Sequence, residues 1–143
     1  MLQILSSLNL VTRMDLEADT WILASGVTGT WVAPGGDDNV GKPTAGDLAF
    51  PIWSESNRDG SAGFSPDIHS TGNVTVIYGK LRGVTDQFDG TPAAGDALYV
   101  TAAGKLVDAD GGGTGIVVAY CTKPSHSTTY LGQGFTAIEF VTV

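Results

Sequence analysis

Pro92-Ala93-Ala94-Gly95-Asp96-Ala97-Leu98-Tyr99-Val100-Thr101 passes directly from turn chemistry into a strand-forming run, and Lys105-Leu106-Val107 follows after Ala102-Ala103-Gly104. Pro presets φ, Gly reaches positive φ and Asp bonds its own nearby backbone, so the three in close order make a tight turn. The glycine of the three-residue connection suits a hairpin with a bulge. The same turn residues stand 49 positions earlier, in Pro43-Thr44-Ala45-Gly46-Asp47-Leu48-Ala49-Phe50. Two copies are too few for a solenoid. Either they mark two pseudo-equivalent corners of one small barrel, or an all-β chain has reused one set of turn residues.

Outward from these copies the pattern stays β. Twenty glycines and six prolines punctuate short runs of β-branched and aromatic residues, as in a compact all-β domain. The strand candidates are Thr20–Ala24, Thr30–Ala33, Leu48–Trp53, Val74–Val84, Ala97–Thr101, Lys105–Val107, Ile116–Cys121 and Thr136–Val143. Val74, Val76 and Tyr78 share one face by alternation. Ile116-Val117-Val118-Ala119 is apolar on both faces and reads as a central strand. Met1, Ile4, Leu5, Leu8 and Val11 fit a helical spacing, but Leu8-Asn9-Leu10 alternates and no capping residue comes first. Residues 1–15 are therefore expected as an N-terminal arm, with 16–143 forming a single domain. Ser54 to Gly72 is long for a structureless connection, a length that often serves binding. The expected fold is a compact β-barrel or β-sandwich-like domain with long loops.

Composition narrows the function. Seven basic and fifteen acidic residues give a net charge of −8, too few cations to neutralise a phosphate backbone, so no nucleic-acid partner is expected. Most aspartates lie beside Gly, Pro or Asn, so much of the negative charge follows from turn chemistry. Only 15% of residues are charged, against about 25% in ordinary domains. A low-charge surface with ample apolar content is consistent with a partner covering part of it. The longest apolar run, Ile116 to Cys121, is far short of the roughly 20 residues that span a bilayer, so no membrane partner is expected. No basic start precedes a clean apolar stretch, which points to a protein made in a cytoplasm and not exported through a secretory signal.

Chemistry-bearing patterns are weak. Gly36-Asp37-Asp38-Asn39-Val40-Gly41-Lys42 has the spacing of a phosphate loop, but Pro43 stands where Ser or Thr should reach Mg²⁺. Asp108-Ala109-Asp110-Gly111 has the look of a calcium loop, yet Ala119 occupies the position of the bidentate Glu, and a solvated turn fits better. Cys121 and His126 are five apart, but Cys121 ends an apolar run and reads as a core residue. His69 and His126 lie in loop candidates, and no nucleophile elbow is present. Asn73-Val74-Thr75 matches a glycosylation acceptor without an export signal to support it. Trp21, Trp31 and Trp53 could stack on sugars, though each sits in a strand candidate where core packing is the default. No catalytic residue, cofactor or metal is assigned.

Ala94-Gly95-Asp96, Leu98-Tyr99-Val100, Gly104-Lys105-Leu106-Val107, Gly115-Ile116-Val117-Val118-Ala119 and a closing strand together resemble small capsid decoration (cement) proteins of tailed bacteriophages. Upstream, Ala45-Gly46-Asp47, Asn73-Val74-Thr75-Val76 and Gly83-Val84 extend the likeness over roughly residues 40–143. The 54–72 and 122–134 loops and the N-terminal segment depart from the pattern. The resemblance implies a non-enzymatic virion protein on the outer surface of the expanded capsid. It would bridge major capsid protein subunits and stabilise the head, as a homotrimer around local three-fold positions. On that reading the grip comes from Leu2, Ile4, Leu5 and Leu8 of the arm, with Phe64 and Ile68 of the long loop. Removing residues 1–14 would then abolish shell binding and leave the fold intact. The alternatives are a tail or head-completion protein, a carbohydrate-binding module using an aromatic such as Tyr130, or a small hydrolase that depends on His69 or His126.

Overall fold

The computed structural model describes residues 1–25, 29–35, 39–52, 73–110, 112–130 and 132–143, with the side chains of 8–15, 18, 23–25 and 73 outside the description. The chain is all-β, as expected. Nine strands are present among the described residues: β1 (Leu2–Ala18), β2 (Trp31–Pro34), β3 (Asn39–Gly41), β4 (Phe50–Pro51), β5 (Asn73–Thr85), β6 (Ala97–Val100), β7 (Leu106–Val107), β8 (Ala119–Tyr130) and β9 (Gln133–Thr142). They form one sheet in the order β4-β2-β3-β1-β5-β9-β8-β6-β7.

The sheet curls back on itself at both ends. Ile52, just past β4, bridges to Val76 of β5, so β4, β2, β3, β1 and β5 close a small ring. Inside it lie Leu16, Ile22, Val32, Val40, Ile52, Val74 and Val76. At the other end β7 returns to the segment that follows β5: Leu106 N–H donates to Gln87 O (3.0 Å) and Asp89 N–H to Leu106 O (2.8 Å). That second ring encloses the larger cluster, with Leu81, Leu98, Leu106, Ile138 and Phe140 fully buried. Closure removes the open edges through which sheets aggregate.

β5 serves both rings because its inward face changes midway. Val74 and Val76 point into the first cluster, with Tyr78 packed against it, whereas Ile77 and Leu81 point into the second. The change coincides with a register shift between Leu8↔Lys80 and Val11↔Tyr78. Gly79 sits at this shift with φ of +103°, a backbone state that suits glycine at a bulge.

Three local readings of the sequence are revised. Residues 1–15 do not stand apart as an arm: they open β1, which pairs along β5 from Leu2↔Thr85 to Glu17↔Asn73. Met1 and Leu2 are buried, and an apolar strand start is more stable inside a ring than in water. Thr20–Ala24 is not a strand but lies in the short helix α1 (Thr20–Ser25). Asp19 caps it, accepting from Ile22 N–H (2.8 Å) on one oxygen and from Lys42 N–H (2.9 Å) on the other. This local bonding outweighs the β propensity of Thr, Trp and Ile. The apolar run is also shifted: Ile116 is exposed, and β8 begins only at Ala119.

The repeated turn is real. Asp47 accepts from Thr44 N–H at 2.7 Å and Asp96 from Ala93 N–H at 2.8 Å. Asp47 N–H and Asp96 N–H bond back to Thr44 O and Ala93 O, both at 3.1 Å. Pro43 and Pro92 are buried, as are Ala49 and Leu98. The corners also stack on neighbours: Gly46 N–H donates to Val100 O and Gly95 N–H to Cys121 O, each at 2.8 Å. The first corner thus rests on the end of the strand that the second corner launches. The expected hairpin is present too, pairing Tyr99 with Val107 and Val100 with Leu106.

The two corners give a matched test. Gly46 and Gly95 have φ of +83° and +95°, so an alanine at either place costs about 1–2 kcal/mol from the left-handed backbone. A Cβ on Gly95 meets nothing within 4 Å, whereas one on Gly46 would stand 2.9 Å from Gly115 Cα. Gly46→Ala is expected to lose about 1–3 kcal/mol more than Gly95→Ala, the range for overpacking a tight site. Urea denaturation of both variants measures it. Equal losses would mean that the first corner is not held as described.

Candidate functional site

The outer face of β5, β9 and β8 collects exposed side chains that strand alternation and register place side by side. On β5, Lys80 and Arg82 are exposed while Leu81 and Gly83 are buried. On β8, Tyr120 and Lys123 are exposed and Cys121 between them is buried. Arg82 lies opposite Val141 of β9, which lies opposite Tyr120. One step along, Val84 lies opposite Glu139, which pairs with Lys123. Val143 continues the face, its N–H donating to Val118 O at 3.3 Å. Leu5 adjoins it as well: Ile4 pairs with Gly83 and Ser6 with Arg82, so Leu5 is the extra residue of a bulge, 43% exposed.

At the centre is Glu139, 9% exposed. Arg82 Nη2 lies 2.5 Å from its Oε2, and Lys123 Nζ and His126 Nε2 lie 3.5 and 3.9 Å from its Oε1. The His126 ring is anchored by Nδ1, which donates to Pro124 O at 2.9 Å, since a carbonyl can only accept. The hydrogen bond from Arg82 is the main reason that the Glu139 carboxyl is held below its ordinary pKa; burial opposes it and Lys123 adds to it. A lowered carboxylate pKa stabilises the fold above the unfolded value of about 4.3, and that contribution is lost as pH falls through the lower folded value. Glu139→Gln is expected to cost about 1–2 kcal/mol at pH 7, because the carboxylate is sheltered but Arg82 is half exposed. The difference from wild type should shrink toward pH 3, as read from urea midpoints at the two pH values. A gap of the same size at both would show that the charge does not carry it.

Beyond Lys123, β8 and β9 run on as a two-stranded ribbon ending at the pair Tyr130↔Gln133. Of residues 122–134, expected as a loop, 122–130 and 133–134 belong to this ribbon. Pro124 has no N–H to give the ladder, and the register shifts between Lys123 and His126. Tyr130 and Phe135 pack against Met1, Val84 and Ala137, so Tyr130 is not a free platform for a sugar.

The other sequence candidates divide as follows. Of the six contact residues, Leu2 is 3% exposed in the main core and Ile4 is packed against the same core. Leu2 is therefore corrected from contact residue to core residue. Leu5 is exposed, Leu8 lies on β1 opposite Lys80 with its side chain outside the description, and Phe64 and Ile68 lie outside the described residues, as do His69 and Trp53. Trp31 is core, edge-on to Phe140 at 5.8 Å. Trp21 is half-buried, with Lys42 Nζ 5.9 Å from its ring. Cys121 is buried as expected; its Sγ lies 3.3 Å from Lys123 O, and burial pushes the thiol pKa up. That makes it a poor nucleophile.

Asp110 spends its carboxylate on Gly112 N–H at 3.0 Å, the larger of the backbone hydrogen bonds that lower its pKa. Of the phosphate-loop lookalike, residues 36–38 lie outside the description and Asn39–Gly41 is strand β3. Beside it a cleft of about 420 Å³ is lined by Glu17, Asp19, Pro34, Asn39 and Lys42 among others. Both oxygens of Asp19 are already engaged there by backbone N–H groups. Among the described residues no three His, Cys, Asp or Glu side chains are placed to hold a metal ion.

Lys80, Arg82, Tyr120, Lys123 and Val143 were not singled out from sequence. The alternation Lys80-Leu81-Arg82-Gly83 carries the signal for two of them, but only register brings Tyr120 and Lys123 to the same face. Comparison of the chain with protein-family models, with curated proteins and with solved structures gives no match.

Proposed function

We propose that this chain is a non-enzymatic structural protein of a tailed-phage virion, which binds the outer surface of the expanded capsid as a homotrimer and bridges major capsid protein subunits. The observation that carries the reading is the pair of Pro-x-Ala-Gly-Asp corners, each followed two residues on by a buried side chain, Ala49 and Leu98. These residues bear the resemblance to decoration proteins, and they are structured, duplicated and stacked. A cement protein needs a rigid scaffold that holds exposed segments against two or more shell subunits; simultaneous contacts then raise effective concentration without new chemistry. Two closed β rings joined by the long β1–β5 ladder suit that task.

Co-sedimentation with expanded, undecorated heads tests the proposal. Saturable binding at a fixed ratio per shell subunit, with heads surviving more heat, is the expected result. No binding at micromolar protein would overturn it and direct attention to the tail.

A further inference from the structure

We infer that the outer face of β5, β9 and β8, with the Leu5 bulge at its margin, is the docking surface, and that it fits an acidic protein surface with apolar residues among its charges. The inference rests on the function proposed above, under which that partner is the outer surface of the shell.

Cations are scarce in this chain, yet three of the five whose side chains are described, Lys80, Arg82 and Lys123, stand on this one face; Lys42 and Lys105 lie elsewhere. Among the described side chains the carboxylate that meets them is Glu139, and it is sunk beneath Arg82 and Lys123. Asp96, in the corner that leads to β6, turns its carboxylate back on Ala93 N–H. A cationic patch on a chain of net charge −8 attracts what the rest of the surface repels, so it selects an orientation as well as a partner. Arg82 and Lys123 are each 52% exposed despite their contacts with Glu139, which leaves them donors to spare.

Interleaved with the cations are Leu5, Tyr120 and Val143, 43%, 42% and 59% exposed. Arg and Tyr at the centre of a patch with apolar neighbours is the composition of interface hot spots. The apolar members also argue for protein over nucleic acid. A phosphate backbone is held by many cations without apolar contact, and here three cations work against a large opposing net charge.

The test uses the full chain and purified expanded heads. Lys80→Glu with Tyr120→Ala avoids the Glu139 cluster, and Lys80→Glu with Lys123→Glu reverses more charge. Either pair is expected to weaken head binding by about 100-fold, since like charges set against each other cost heavily across an interface. Lys105→Glu on the β6–β7 hairpin serves as a control and should change binding less than about twofold, in line with a site outside the interface. Wild-type binding should also weaken as salt rises from low to high. Circular dichroism melts establish that each variant is folded. If wild type binds and the folded double variants bind equally well, the face is wrong while the cement function stands. If wild type fails to bind heads, the functional reading falls and this partner assignment falls with it. Salt-sensitive self-association that the double variants abolish, without change in head binding, would reassign the face to a second copy of the chain.

Discussion

Deletion of residues 1–14 is expected to abolish cooperative unfolding, not merely to weaken a contact. The deleted segment supplies most of β1, whose ladder with β5 runs from Leu2↔Thr85 to Glu17↔Asn73 and joins the two rings. Met1 and Leu2, at 2% and 3% exposure, leave the interior with it. Burial of each such side chain stabilises by roughly 1.5–3 kcal/mol. The deletion also unpairs one whole side of β5 and leaves backbone groups that only solvent or another chain can satisfy. Against a typical total stability of about 5–15 kcal/mol, the combined loss exceeds what a small domain holds in reserve. A urea titration followed by far-ultraviolet circular dichroism decides the matter. A sharp transition with an undiminished m-value would show that the segment is dispensable, as an arm would be.

Phe140→Ala is expected to destabilise by about 3–5 kcal/mol, the range for emptying a large aromatic site in a close-packed core. Phe140 is fully buried in β9, opposite Gly83 of β5 on one side and Cys121 of β8 on the other. Trp31 meets it edge-on, with centroids 5.8 Å apart and planes at 64°. A Cβ on Gly83 would come within 2.9 Å of Phe140 Cζ, so the glycine is what makes room for the ring. Neighbours fixed by three paired strands have little freedom to collapse into the space, which favours the upper half of the range. Thermal and urea unfolding both report the change. A loss below about 1 kcal/mol would mean that the core repacks around the cavity, contrary to the packing described.

Much of the second ring was legible in the sequence because its signals are local. The hairpin at Ala102-Ala103-Gly104 and the two Pro-x-Ala-Gly-Asp corners each fall within a dozen residues; the alternation of Val74, Val76 and Tyr78, equally local, belongs to the first ring. β1 was not legible as a central strand, since its apolar residues fit helix and strand alike and its partner lies far along the chain. β3, only Asn39-Val40-Gly41, carries too few side chains for any period to show. α1 depended on Asp19 acting as a cap, a role the β-branched residues after it conceal. The candidate face shows the same division. Alternation marks Lys80 and Arg82 as outward neighbours, but a bulge at Leu5 and the pairing of β9 with two partners are facts of register, which one sequence does not state.

The pairing of β1 with β5 also governs how the chain reaches this structure. Leu2 must find Thr85, whereas Tyr130 and Gln133 are almost adjacent. Closing so long a loop costs entropy before any contact rewards it, so topology places this domain among slow folders, in the range of milliseconds to seconds. The β8–β9 hairpin forms on a much shorter timescale, of the order of 1–10 μs. During synthesis β1 leaves the ribosome long before β5 exists to receive it and waits as an apolar strand without a partner. At about 5–20 residues per second that wait lasts several seconds. The segment that most needs the rest of the domain is thus the one most open to chaperones and to aggregation while the chain is being made.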